Sequence, residues 1–115
     1  MESRAYEEIW VNTEDGQAMV ALVNSERGWL MYLRESGDPG FSSRNPDYVG
    51  PEDATIEYEL SNGQRDEYPA SWALPIDVVR RALAYFESRK EPPLFIRWHN
   101  DSHDGAVIRY EDGAE

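Results

Sequence analysis

The chain has 115 residues, no cysteine, and 23 Asp plus Glu against 11 Lys plus Arg, for a formal net charge of −12. That length predicts one domain, residues 1–115, large enough for a single core of ordinary stability. The charge excludes nucleic acid and anionic membranes as partners, since both repel it, and the lack of thiols excludes disulfides and thiolate chemistry.

The first ten residues, MESRAYEEIW, have neither a basic start nor an apolar core, so no secretory signal is expected and the reading is a cytoplasmic protein. Residues 8–11 (EIWV) and 17–23 (QAMVALV) predict strands, split by a turn at Glu14-Asp15-Gly16. NSERG then turns the chain into a third strand, WLMYL, residues 29–33. These apolar runs are far too short to span a bilayer. From Arg34 to Asp53 the chain carries Gly37, Pro39, Gly40, Pro46, Gly50 and Pro51, which predicts a long irregular loop with neither helix nor strand. Loops of this length are usually functional or disordered, and Phe41 and Tyr48 argue for order by pinning the loop to the body.

Residues 54–69, ATIEYELSNGQRDEYP, read as a hairpin. Ile56, Tyr58 and Leu60 alternate with Thr55, Glu57 and Glu59, and Asn62-Gly63 is the strongest short hairpin signal. With those two residues as the turn, Glu59 faces Asp66 and Glu57 faces Tyr68. Like charges opposed on a sheet are destabilising. Glu57, Glu59, Asp66 and Glu67, with Glu52 and Asp53 just upstream, are therefore either a face for a basic partner or an edge charged against aggregation. Tyr48, beside this acidic stretch, is a candidate hot spot.

A helix is expected from about Pro75 to Lys90. Ile76, Val79, Leu83 and Phe86 form one apolar stripe with Ala82 beside them, and Pro92-Pro93 stop it. Two strands, LFIRWH (94–99) and GAVIRY (105–110), close the chain around the turn NDSHD, and the tail EDGAE is expected to fray. Trp10, Trp29, Trp72 and Trp98 each sit in or beside an apolar segment and are read as core. The sum is an α+β fold: a curved antiparallel sheet of several short strands with one main amphipathic helix on one face.

Catalytic motifs are missing. The chain has no glycine-rich phosphate loop and no GxSxG, and it lacks the cysteine ligands of a deaminase-type zinc site. His99, His103, Asp101 and Asp104 are a weak metal candidate against a plain polar turn. Ser42 and Ser43 have no His nearby in sequence, although a triad assembled in space stays open. No cofactor is expected. A small enzyme of unrecognised type and a general acidic DNA mimic remain as alternatives.

WLMYL, then GFSSRNPDYVGPEDATIEYELSNGQRDEYPASWALPIDVVRRALAYF, then IRWH resembles the Imm1 family of immunity proteins from bacterial polymorphic toxin systems. The resemblance runs from about Trp29 to His99. Its most specific parts are Gly50 to Asp53, the Asn62-Gly63 turn followed by Glu67-Tyr68-Pro69, and the Trp98 strand. It implies an α+β protein, not an enzyme, that binds a cognate toxin domain one-to-one as a monomer and blocks it. Partners in the family are typically nucleic-acid-targeting toxins, deaminases prominent among them. Such a toxin carries a basic substrate groove, which fits an acidic surface made by Tyr48, Glu52, Asp53, Glu57, Glu59, Asp66 and Glu67.

Overall fold

The run AMVALV is apolar at every position, not every second one, so the strand it forms must be covered on both sides. A computed structural model, which describes residues 6–111, shows both covers. β1 (Tyr6–Asn12), β2 (Ala18–Asn24), β3 (Arg27–Leu33), β4 (Phe41–Arg44), β5 (Thr55–Glu59) and β6 (Arg65–Pro69) come first. A single 3₁₀ turn (Ala70–Trp72), β7 (Leu74–Pro75), α1 (Ile76–Arg89) and β8 (Arg97–Asn100) follow. The main sheet runs β1-β2-β3-β4-β8, with the short β7 paired to β3, and every pairing is antiparallel. β5 and β6 form a separate two-stranded sheet. The fold is α+β, as the pattern of elements predicts, in three layers.

One face of the main sheet packs on α1. Met19, Ala21, Val23, Leu30, Tyr32, Phe41 and Trp98 meet the helix stripe of Val79, Ala82, Leu83 and Phe86. Helix bounds follow the chemistry at the ends. Pro75 precedes the first turn, Asp77 sits at the positive end of the dipole, and Lys90 takes the left-handed conformation that closes the helix. The opposite face of the sheet packs on the β5–β6 hairpin through Leu22, Trp29 and Tyr58, with Met31, Ile56, Leu60, Tyr68 and Trp72 around them. Trp29, Tyr68 and Trp72 touch one another, with ring centroids 4.7 to 6.0 Å apart. The expected layer of helix on sheet is thus present, and the hairpin is the second cover.

Four expectations need correction. Phe41–Arg44 is a strand inside the stretch read as irregular. Gly40 and Pro46 leave five residues between them, enough for a short strand, and β3 and β8 supply hydrogen bonds from both sides, with Phe41, Ser42 and Ser43 buried. Gly40 itself turns at φ +80°, and an added Cβ would lie 2.6 Å from the Tyr32 carbonyl oxygen. Residues 105–110 form no strand. The Asn100 side chain bonds the Ala106 carbonyl (2.9 Å) where a ladder partner would stand, and Val107 is exposed. β8 begins at Arg97, not Leu94, although Ile96 and Trp98 are buried as read. Trp10 is 51% exposed, whereas Trp29 and Trp98 are buried and Trp72 is half-buried. Alternation puts Trp10 on the hairpin side of the edge strand β1, where no element covers it. The expected fraying of the tail lies, beyond Glu111, outside the described residues.

The loop after β3 is tied down by one carboxylate. Asp38 accepts from the Arg34 backbone N–H (2.9 Å) and from its guanidinium at Nε (2.8 Å) and Nη2 (2.9 Å). Its side chain is almost fully buried, and the Arg34 bonds hold its carboxyl well below the usual carboxylate range. Asp38→Asn should cost about 1.5–3 kcal/mol at neutral pH, the worth of hydrogen bonds to a charged group. The sign of the pH effect follows from the lowered folded value. The contribution is complete above the unfolded value of about 3.9 and is lost as pH falls through the folded one. Thermal melts should therefore show the gap between wild type and variant constant near neutrality and closing only in strong acid.

Candidate functional site

The hairpin register is set by three loop residues, not two. Leu60 N–H donates to the Gln64 carbonyl (2.8 Å), and Gly63 N–H returns to Leu60 (2.9 Å) with Gly63 at φ +91°. Ser61 joins the turn, and the ladder slips by one residue from the register of a two-residue turn. Glu57 faces Glu67, Glu59 faces Arg65, and Tyr58 faces Asp66. The expected Glu59–Asp66 opposition is therefore absent, and the like-charge pair is Glu57 with Glu67.

That slip sorts the side chains by face. Ile56, Tyr58, Leu60 and Tyr68 turn inward to the sheet. Asp66 lies on their side, at the rim, with its carboxylate taking Gln64 Nε2 (3.0 Å) and touching the Tyr68 hydroxyl (3.5 Å). Burial, with Asp66 beside it, pushes the Tyr68 hydroxyl pKa up. Thr55, Glu57, Glu59, Arg65 and Glu67 share the outer face. Arg65 reaches Glu59 at 3.3 Å and Glu57 at 3.7 Å, so one cation offsets part of the repulsion among three acids. Inward, the Tyr58 hydroxyl and the Trp29 indole N–H are buried without a partner among the described residues.

Tyr48, Glu52 and Asp53 stand apart from this face, on the loop leading into β5. Asn45 pins that loop to the body, its N–H on the Ser71 carbonyl (2.9 Å) and its side-chain amide on the Ala73 carbonyl (3.0 Å). Tyr48 folds back, donating to the Pro51 carbonyl at 2.7 Å with its ring against Gly50, and so closes the loop on itself. Glu52 and Asp53 are exposed. Between this loop and the base of the hairpin is a cleft of about 620 Å³, lined by Tyr48, Val49, Ala54, Ile56, Leu74 and Pro75 among others. Its described lining holds no His, Ser or Cys.

The hairpin also has neighbours that the sequence does not announce. Tyr6 donates its hydroxyl to Glu57 (3.0 Å), with the Arg65 guanidinium 5.5 Å from its ring centre. Glu8 accepts the Ser61 backbone N–H (2.7 Å) and the Trp10 indole N–H (2.6 Å), and these bonds, Trp10 first, lower its pKa. Alternation along β1 puts Tyr6, Glu8 and Trp10 on one side; only the packing of the hairpin on β1 and β2 makes that side part of the acidic surface.

The other candidates dissolve into structure. Ser42 does face His99 across β4–β8, and His99 Nε2 lies 3.5 Å from Asp101. Yet Ser42 is 2% exposed, accepts from Arg44 (3.0 Å) and makes no hydrogen bond to His99. Ser43 bridges the Leu30 N–H and the Trp72 carbonyl. Asp104 is held by Asn100 (2.8 Å) and Arg34 (3.0 Å), and no three metal-ligating side chains converge among the described residues. No described helix is long and apolar enough to cross a membrane.

No curated protein matches this chain. The family model for immunity protein Imm1 matches residues 4–100, which takes in β1 and β2 as well as the stretch from Trp29 to His99. An immunity protein implies a cognate toxin as partner. With most of its length matched, the chain belongs to the Imm1 family of immunity proteins.

Proposed function

We propose that this protein neutralises a nucleic-acid-targeting toxin domain, a deaminase first among the candidates, by stoichiometric one-to-one binding in the cytoplasm of the cell that makes it. The observation that carries the reading is the outer face of the hairpin, where Glu57, Glu59 and Glu67 share the surface with a single Arg65 over a packed apolar layer. A toxin that acts on DNA or RNA must present cations to phosphates, and carboxylates held in fixed positions compete for the same cations. Tyr48, Glu52 and Asp53, apart from this face on the loop leading into β5, would add a second contact, and Asp66 would contribute from the rim. The deaminase assignment draws on the resemblance to family members that oppose such toxins. A tight complex, with Kd about nanomolar or better, is expected, because little toxin can be left unbound. Association should slow as salt rises.

The test is titration of the purified protein against the toxin domain encoded beside its gene. Inhibition should be complete at one equivalent, and inhibition at far lower ratios would mean turnover and overturn the reading. A sharper result comes from Glu67→Gln. It removes the charge opposite Glu57 while its amide oxygen can still accept the Thr55 hydroxyl, which Glu67 takes at 3.2 Å. The unbound protein should become more stable by a few tenths of a kcal/mol in a thermal melt. Toxin binding should weaken about tenfold, or about 1.4 kcal/mol, by calorimetry. Stability and affinity moving in opposite directions is the signature of an acid placed for a partner.

A further inference from the structure

We propose that Trp10 is the aromatic anchor of the toxin interface, and that its occupant is an arginine or lysine of the toxin domain lying over the exposed indole with its charge against Glu8. The inference rests on the reading that the acidic hairpin face binds the toxin, and it places the centre of that surface at the seam between β1 and the hairpin. Trp10 is the exposed aromatic among the large hydrophobic side chains described, at 51%. Its ring is not loose. The indole N–H is bonded to Glu8, and Glu8 is bonded in turn to Ser61 at the hairpin turn. An exposed ring held in one orientation loses little freedom on binding, and Trp is the residue most enriched at energetic centres of interfaces.

The chemistry of the occupant follows from how this chain covers six of its other rings. Arg34, Arg44, Arg65, Arg81, Arg89 and Arg97 each lie over an aromatic ring, at 4.0 to 5.6 Å from its centre. Trp10 has no such cation from the described residues, although Trp binds cations best and a carboxylate sits at its N–H. Four residues back along the same side of β1, Tyr6 and Arg65 show the finished arrangement: a cation over a ring whose polar end meets Glu57. Trp10 and Glu8 repeat the ring and the acid and leave the cation to be supplied. A basic groove carries that group, and the net charge of −12 attracts it.

The experiment measures binding of the full chain to a catalytically inactivated form of the toxin domain encoded beside its gene. Trp10→Ala should weaken binding about a hundredfold and Glu8→Gln about tenfold, with melting temperatures near wild type. Val107→Ala, an exposed apolar truncation on the segment after β8, should stay within twofold. A variant-free arm uses ¹⁹F NMR of the 5-fluorotryptophan-labelled chain with unlabelled toxin domain, the Trp10 signal assigned through Trp10→Phe. That signal should shift in the complex far more than those of Trp29 and Trp98. Were Trp10→Ala to bind within twofold of wild type, or its fluorine signal to stay unmoved while Glu67→Gln weakens binding, the anchor would be refuted and the acidic face kept. Were neither Trp10→Ala nor Glu67→Gln to weaken binding, the acidic face would fall, and the anchor with it.

Discussion

Trp29→Ala should cost about 3–5 kcal/mol, the range for truncating a buried aromatic, and should loosen the hairpin before the rest of the molecule. Trp29 is 5% exposed at the centre of the layer between the main sheet and the hairpin, against Tyr68 at 4.7 Å and Trp72 at 5.7 Å. The helix layer on the other side of the sheet does not touch it. What would still hold the hairpin is the thinned remainder of that layer, Leu22 and Tyr58 with the half-buried residues around them, and a few polar links: Tyr6 to Glu57, Ser61 to Glu8, and the Asn24 amide to the Glu57 carbonyl (2.8 Å). A two-stranded hairpin has little stability of its own in water. Hydrogen exchange should therefore accelerate in β5 and β6 by more than in β2 and α1, and affinity for the toxin should fall with it. Equal acceleration everywhere would show that the two layers unfold as one unit.

Charge reversal at the outer face, Glu57→Lys with Glu59→Lys, should abolish useful binding by another route. On the proposed reading, each substitution replaces an attraction to the toxin's basic groove with a repulsion, and like charges brought together at an interface cost several kcal/mol. The expected loss is at least about a thousandfold in Kd, or about 4 kcal/mol. The folded protein should survive. The lost contacts to Arg65, at 3.7 and 3.3 Å, are between partly exposed groups and are worth about 0.2–1 kcal/mol each, and the lost Tyr6 hydrogen bond to Glu57 about 0.5–1.5 kcal/mol more. A melt a few degrees below wild type, with binding gone, separates this variant from Trp29→Ala, in which binding goes because its support is released. Retained affinity would move the interface off the hairpin, with the Tyr48 loop and its cleft as the next surface to alter.

Much of this was legible from local chemistry. The helix from Ile76 to Arg89 follows from an apolar stripe at helical spacing and a proline at each end. β2 and β3 follow from unbroken apolar runs, and the hairpin from alternation around Asn62-Gly63. The motifs around that hairpin were enough to indicate the family that the match over residues 4–100 establishes. These features depend on neighbours a few residues away, and the sequence spells those out. What only the tertiary structure decided is which faces meet. Phe41–Arg44 became a strand because β3 and β8 lay on either side of it, and residues 105–110 did not because the Asn100 side chain took the place of a ladder bond. Adding Ser61 to the turn moved Asp66 to the inner side and set Glu67 against Glu57, since a slip of one residue exchanges the two faces of a strand. Tyr6, Glu8 and Trp10 joined the acidic surface only when the hairpin folded over β1, about fifty residues away in sequence. Hydrophobic periodicity says that a face will be buried, but not against what; that choice belongs to the packing of the whole chain.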